Sequence, residues 1–488
     1  MQQLNALMQD YAPLVKAPVT SAELSDRGVR LQAIGNHDKA MEYFEKAILA
    51  DPASGLAHFN RAQLLSHQSR HAEALGAYQM AEMLGLRLAD LDHNMSMALY
   101  WLYQPQEALV YCERALKAAT PQTRAMILNS KCLILMDLAR PAEAFEAANE
   151  AVHLSPGFHL ARLNRALASL TVGKWREGWE DYEVRWHGAH EAQNGTFVRP
   201  PIPLPQWQGQ KIPPGNGLFV FTEQGLGDTF QFVRYVIAAR KRFSQLTLAC
   251  PAPARQLLEH SLGDAGITFQ PLDSVRLEGC HWQCPMLSLP FALRDELPEP
   301  YECGPYIMAE KSLTDAWASR LEGLPQHKLN VGLCWAGSST LRRDAQRSIA
   351  FAQISPLLEH ADVNWISLQK SDDKAGQYRG THTNLVDWSE GFTDLSQTAA
   401  LISLLDLVIC VDTSIAHLSA AMGKPVWLLS RFEGEWRWLH NRDDSPWYPT
   451  MRLFRQRRLL DWAEVIGRVG KELSAFKPER APSTQSHA

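Results

Sequence analysis

The stretch "LDLVICVDTSIAHLSAAMGKPVWLL", Leu405 to Leu429, is where the fold of the C-terminal two thirds is read. An unbroken apolar run ending at Val411 predicts a strand buried on both faces. Asp412, Thr413 and Ser414 make a turn, small residues carry a helix, Gly423 stops it, and "KPVWLL" opens a second strand. Strand, helix and strand in that order predict parallel pairing through a crossover helix. The same alternation surrounds it, in "GLFVFT", "QLTLAC" and "CPMLSL", then in "LNVGLCW" and "VNWISLQ". Turn residues bound a segment near residues 296 to 328, so the runs divide into two sheets. The expectation is two Rossmann-like halves, residues 216–315 and 316–475, with a cleft between them.

Open α/β sheets place ligands at the carboxyl ends of their strands, and several loops qualify there. A helix starting at Ser414 offers its free first-turn N–H groups together with the Thr413 and Ser414 hydroxyls, a ready site for an anion such as a diphosphate. His417 falls in that first turn, either as a donor to a phosphate or leaving group or as a satisfied structural histidine. In "CWAGSSTLRRDAQRSIAF" Gly337, Ser338 and Ser339 supply backbone and hydroxyl donors, and Arg342, Arg343 and Arg347 supply charge. Arg347 is favoured because it adjoins the next ordered element. Ser367, Gln369 and Lys370 end another strand and either touch a nucleoside or meet solvent. Trp436, Trp438, Trp447 and Tyr448 either stack on a base or sugar or pack in the core. Asp372-Asp373 and Asp443-Asp444 read as solvated surface pairs.

In the first half the loop "FTEQGLGDTFQFVRY", Phe221 to Tyr235, invites a dinucleotide reading and fails it. Phe230 stands where a third glycine is needed, and no acid ends the second strand. A Walker loop fails too, since no Gly-Lys-Ser/Thr follows. What remains is a tight turn in which Gly225 and Gly227 are free to take positive φ and Asp228 caps the helix.

Ahead of both sheets lies a repeat. "LSDRGVRLQAIGNHDKAMEYFEKAILADP" sets Gly28, Ala40, Phe44, Ala47 and Pro52 at the offsets of a helix-turn-helix repeat of about 34 residues. The pattern returns at Ala62, Ala74, Tyr78 and Ala81, at Ala108 and Ala115, then two residues late at Ala144, Ala151 and Pro156, and again at Ala166 and Tyr182. Small residues let paired helices approach, and the aromatic fills the groove. The expected solenoid of about five repeats spans residues 21–190, after a lead-in of residues 1–20. Residues 191–215, with six prolines from Arg199 to Gly215, read as a linker, and 476–488 as a disordered tail.

A chain of 488 residues holds roughly three domains by length. Its 46% hydrophobic and 21% charged composition is globular, and a net charge of −5 argues against non-specific nucleic-acid binding. Neither a signal peptide nor a run of about 18 apolar residues is visible, so a cytoplasmic protein without a membrane span is expected. Eight scattered cysteines read as reduced thiols, and Cys280-His281-Cys284 lacks the second ligand pair a zinc site needs. No metal or other cofactor is expected.

The repeat segment resembles the tetratricopeptide repeat (TPR) family. That resemblance implies a groove for a protein or peptide client, against the plainer role of stabilising the chain or pairing two copies as a homodimer. The three loops together resemble the heptosyltransferase-like branch of GT-B glycosyltransferases, with a Gly-Asp turn after the first strand and an Asp-Thr-Gly/Ser…His turn beside the donor diphosphate. Closer still, "GWEDYEVRW", "EQGLGDTFQFVRY", "RSIAF", "SLQK", "VDTSIAHLSAAMGKPVW", "WRWL" and "SPWYPTMRLFRQ" look like bacterial TPR-plus-glycosyltransferase proteins, some of them associated with flagellin glycosylation. Ser414 departs from the glycine common in heptosyltransferases.

The resemblance implies an α-solenoid followed by a GT-B pair: an acceptor domain first, then a nucleotide-sugar domain. Donor contacts fall to Gly337, Ser338, Arg347, Ser367, Gln369, Lys370, Asp412, Thr413, Ser414 and His417, and the acceptor-side loop to Gln224, Gly225 and Gly227. Asp228 becomes the general base, with Glu223 as runner-up, in a metal-independent, inverting transfer from a nucleotide sugar to a hydroxyl, the acceptor being a protein such as flagellin. Two alternatives stand beside it: a non-catalytic TPR adaptor with a nucleotide-sugar-binding remnant, and a transferase acting on a lipopolysaccharide-type glycan.

Overall fold

The computed structural model describes residues 19–189, 198–298, 300–338, 344–370 and 384–478. The lead-in up to residue 18, Ser339, Arg342, Arg343, the Asp372-Asp373 pair and residues beyond 478 lie outside that description. Two compact units result, Met1–Asn164 and Arg165–Ala488.

The first unit is built from helical hairpins: α1 (Ser21–Ala33) with α2 (His37–Ala50), α3 (Gly55–His67) with α4 (His71–Met83), α5 (Ala89–Trp101) with α6 (Pro105–Ala118), and α7 (Pro121–Asp137) with α8 (Pro141–Leu154). Thr20 and Thr120 start α1 and α7 with reciprocal capping boxes. Any Cβ on Gly28 would sit 2.5 Å from the Phe44 ring, so only glycine lets α1 and α2 close. The alanines at the repeat offsets, Ala40, Ala47, Ala74, Ala81, Ala108, Ala115, Ala144 and Ala151, are all fully buried. Between neighbouring hairpins the polar groups pair: Asn164 donates to Asn129 at 2.7 Å, and His93 bonds Ser130 at 2.9 Å.

One further residue recurs with the repeat. Gly35, Ser69, Tyr103 and Ala139 all turn their hairpins with left-handed backbone, at φ of 77°, 61°, 59° and 54°. Each is followed by a backbone bond back across the helix end, from Asn36 to Leu31, Arg70 to Leu65, Gln104 to Leu99 and Arg140 to Leu135, all 2.9–3.0 Å. The Cβ-bearing residues there carry strain that glycine does not. Ser69→Gly and Ala139→Gly are each expected to stabilise the unit, by up to about 1 kcal/mol, with the gain read as a rise in melting temperature.

A fifth hairpin, α9 (His159–Thr171) and α10 (Trp175–Tyr182), spans the border between the units. It stands where the fifth repeat is expected, and from Arg165 onward it lies in the second unit. Arg165 grips Asp181 of α10 through two bonds of 2.6 and 3.0 Å.

Two parallel sheets form the rest of the second unit, as expected. Among the described residues, β1 (Gly217–Phe221), β2 (Gln245–Cys250), β3 (Ile267–Pro271) and β4 (Trp282–Pro285) lie in the order β3-β2-β1-β4. The second sheet runs β10-β9-β8-β5-β6-β7, from β5 (Leu329–Cys334), β6 (Val363–Ser367), β7 (Leu385–Val386), β8 (Leu407–Val411), β9 (Val426–Ser430) and β10 (Met451–Arg455). The strand order reverses between β1 and β4 in one sheet and between β5 and β8 in the other, which marks the two ligand crevices. The helices that matter to them are α11 (Leu226–Arg240), α12 (Ala252–Leu262), α13 (Lys311–Leu321), α14 (Leu395–Ser403), α15 (Ser414–Ala421) and α16 (Trp462–Leu473). This repeat-plus-two-sheet architecture is consistent with GT-B.

Some boundaries move. The expected division at residues 315/316 falls inside α13, whose Trp317 donates to Gln397 of α14 at 2.9 Å, so α13 belongs with the second sheet. The proline-rich stretch is strapped down where described: Trp207 is buried, and its N–H and the carbonyl of Pro205 pair with Gln283 of β4. "CPMLSL" gives up its strand after Pro285, where a 3₁₀ turn takes Met286–Ser288. Phe476 is no loose tail, since its ring meets Trp427 at 5.5 Å.

Candidate active site

Three consecutive residues after β1 are pinned one by one. Glu223 lies in the crevice between β1 and β4 and accepts two bonds from Arg185, at 2.8 and 2.7 Å, and one from the Leu287 N–H at 3.1 Å. Arg185 also donates to Ser288 at 2.8 Å, and both ionic side chains are almost wholly buried. Two hydrogen-bonded charges therefore meet in the first crevice, and burial is what tells against Glu223 as a base: its side chain is only 2% exposed. Gln224 adopts φ of 61° and donates to the Tyr182 hydroxyl at 2.9 Å. Gly225 is extended at φ −94° and its N–H bonds Asp228 at 3.0 Å. The left-handed residue of this turn is thus Gln224, not Gly225 or Gly227.

Gly227 has a different use. It stands in the first turn of α11, which packs on α15, and a Cβ there would lie 3.0 Å from His417 and 3.7 Å from Ser414. The N-terminal turns of two helices, one from each half, thereby meet across the cleft. α15 starts at Ser414 as expected, with Thr413 at its N-cap but no side chain capping its N–H groups. Asp412, Thr413 and Ser414 are all partly exposed.

Between these turns sits Arg437, which the sequence reading did not single out. Its guanidinium is ion-paired with Asp228 of the first half, donates to Gln231 at 2.6 Å and binds Glu435 at 2.6 Å. Burial pulls the guanidinium pKa down, but Glu435 and Asp228 more than offset it and leave it raised. Burial pushes the Glu435 carboxyl up, with Arg437 opposing. Asp228 is therefore both helix cap and arginine partner. Asp412 accepts from the Trp438 indole at 3.0 Å.

His417 is buried, stacked on Trp438 at 5.2 Å, and bonds Tyr448 at 3.1 Å through Nδ1. Burial pushes its imidazole down to about 3, so it is neutral at physiological pH, able to give one hydrogen bond but not to act as a cation. The aromatic run is core: Trp436, Trp438, Trp447 and Tyr448 are each 5% exposed or less, which excludes stacking on a sugar or base. Arg234, fully buried on α11, donates to the Tyr301 and Trp447 carbonyls and to the Tyr306 hydroxyl at 2.8–3.0 Å, tying the halves together a second time.

On the far side of the second crevice Arg347 lies over Gly337. Its guanidinium donates to the Asp412 carbonyl at 3.2 Å and to Asp344 at 3.0 Å. The Gly337 N–H bonds Ser348 at 3.0 Å, and Ser338 is exposed beside it. A Cβ on Gly337 would stand 2.2 Å from the Arg347 guanidinium, so Gly337→Ala is expected to expel it. Loss of that charge is expected to weaken binding of inorganic diphosphate at this turn about tenfold or more, measured by calorimetry.

The "SLQK" end divides. Ser367 is fully buried, and Gln369 is a brace whose side-chain oxygen accepts from the Ala336 N–H at 3.0 Å; only Lys370 is exposed. Cys280, His281 and Cys284 do not converge on an ion, because His281 accepts from the Gly217 N–H at 3.1 Å while Cys284 donates to Pro285. Asp444 is solvated and paired with Arg442. No described helix is long and apolar enough to cross a membrane.

Comparison with known proteins fits this geometry. Residues 376–429, which contain α14, β8, the Asp412–Ser414 turn and α15, match the model for glycosyltransferase family 9 (heptosyltransferase). The chain is 26% identical over 506 residues to Protein FlbA of Caulobacter vibrioides, covering 96% of this chain and 80% of that one. Among solved structures, YrrB, described as a TPR protein with an unusual peptide-binding site, is 16% identical with a TM-score of 0.31 and covers 39% of this chain and 95% of its own. MamA is 17% identical with a TM-score of 0.31, covering 37% and 98%. The repeat architecture, the paired parallel sheets and the family 9 match over residues 376–429 make this chain similar to TPR-containing, heptosyltransferase-like proteins.

Proposed function

We propose that the chain transfers a sugar from a nucleotide-sugar donor to a hydroxyl acceptor with inversion, without a metal. The observation that carries the reading is the meeting of two helix N-terminal turns across the cleft, with Asp228 on one side and the Asp412–Ser414 turn on the other. The donor diphosphate rests on the first turn of α15, where uncapped N–H groups, the Thr413 and Ser414 hydroxyls and Arg347 oppose its charge. His417 contributes a neutral hydrogen bond at most. The acceptor hydroxyl approaches from the α11 side, and Asp228 takes its proton. Attack from the half opposite the leaving group gives inversion.

Arg437 completes the cycle. Its guanidinium holds one Asp228 oxygen, and as the acceptor hydroxyl takes that place to give up its proton Arg437 keeps Gln231 and Glu435. The acceptor is a protein recruited along the repeat array in the cytoplasm, flagellin being the one the family resemblance suggests.

Incubation with UDP-, GDP-, ADP- and CMP-sugars tests the reading. A thermal shift with one nucleotide class, together with slow donor hydrolysis, is the expected result. Binding without turnover under any acceptor condition would instead favour an adaptor that keeps a nucleotide-sugar site.

A further inference from the structure

The geometry points to Tyr182 and Arg185, from the segment that ends the helical repeats, as positioning residues for the loop carrying Asp228, an inference that rests on the transfer reading above. Residues 223, 224 and 225 are each anchored by one side-chain arrangement, and two of the three anchors come from this segment. Arg185 fixes Glu223 through its two bonds, while the Tyr182 hydroxyl accepts from Gln224 at 2.9 Å. The third anchor is Asp228 itself, which accepts the Gly225 N–H.

Gln224 is where this matters. A glutamine at φ 61° occupies backbone space that glycine takes freely and other residues take at a cost of about 1–2 kcal/mol. Its bond to Tyr182 offsets that cost, so the hydroxyl holds the loop in a form the glutamine would otherwise leave. Relaxation of Gln224 would swing Gly225 and with it the N-terminal turn of α11, where Asp228 meets Arg437.

The same segment touches both halves of the cleft. Trp179 meets Phe232 of α11 at 5.9 Å and Trp436, beside Arg437, at 5.4 Å, both edge to face. Arg185 lies 5.1 Å over the Tyr182 ring, so the two anchors move together. Burial pushes the Tyr182 phenol up to about 12, which keeps its oxygen a neutral acceptor across the working pH range.

Tyr182→Phe in the full-length protein tests the inference, because the ring packing stays and only the acceptor for Gln224 is lost. The expected result is a fall in kcat of about tenfold or more, with donor KM within twofold and the melting temperature nearly unchanged. Gln224→Gly, which removes both the strain and the side-chain bond, should make a subsequent Tyr182→Phe silent. Unchanged kcat in Tyr182→Phe, additive effects in the double variant, or a parallel loss of kcat, donor binding and stability would each overturn the inference. If the wild-type protein turns over no donor in the panel, the transfer reading fails separately, and deuterium exchange decides the positioning role. Faster uptake confined to residues 222–229, with α12 unchanged, sustains it; unchanged uptake there overturns it.

Discussion

Replacing Arg185 with leucine is expected to destabilise the second unit by about 3–5 kcal/mol, the largest effect of any single substitution considered for this chain. The reason is what stays behind. Glu223, with its side chain only 2% exposed, would keep a single donor, the Leu287 N–H, for a charge that now has three. A charge-assisted pair in such a place contributes little net stability over an apolar pair, but removing one partner alone exposes the full cost of burying the other. Arg185→Leu combined with Glu223→Leu is therefore expected to recover most of the loss. Urea denaturation of the wild type, both single variants and the double measures this directly. Near-additive losses in the double variant would show that packing around Ser288 and Tyr182, not the charge, sets the stability.

Asp228→Asn is expected to lower kcat by about 10²- to 10⁴-fold while leaving donor binding within twofold. The substitution isolates chemistry from fold. An asparagine oxygen can still accept the Gly225 N–H, so the start of α11 keeps its cap. Arg437 retains Gln231 and Glu435, so its guanidinium is not stranded. Thermal melting should consequently fall by only a few degrees. Isothermal calorimetry with the donor and single-turnover transfer separate the two quantities. Should Asp228→Asn keep full transfer, the assignment of Asp228 as the base fails.

How much of this the sequence carried depended on whether the signal was local. The alanine register of the repeats and the strand-turn-helix at Asp412 are periodic or contiguous, and the described hairpins and α15 follow them residue for residue. The left-handed turns escaped notice, because Gly35 and, in the fifth hairpin, Gly173 carry the residue that advertises them while Ser69, Tyr103 and Ala139 do not. The strands β3, β7 and β10 lay outside the recognised runs. "ITFQP" and "MRLFR" carry polar residues, and "LV" is too short for periodicity.

At the site, the failures share one physical cause: sequence shows neighbours along the chain, and burial is decided by neighbours in space. Glu223 looked available because it stands two residues from a glycine, yet its partner lies in a helix-end motif that seemed to belong wholly to the repeats. Arg437 was hidden inside an aromatic run read for its rings. "WRWL" holds two tryptophans that pack and one arginine that crosses the cleft, and the alternation of buried and bridging residues was the available clue.

The plug at the first crevice also sets an order of assembly during synthesis. Arg185 leaves the ribosome 38 residues ahead of Glu223 and 103 residues ahead of Ser288. The hairpins close on local contacts as they emerge, but the guanidinium must wait in water until β1 and then β4 have been made. A residue made early is thus satisfied only by strands and turns made later.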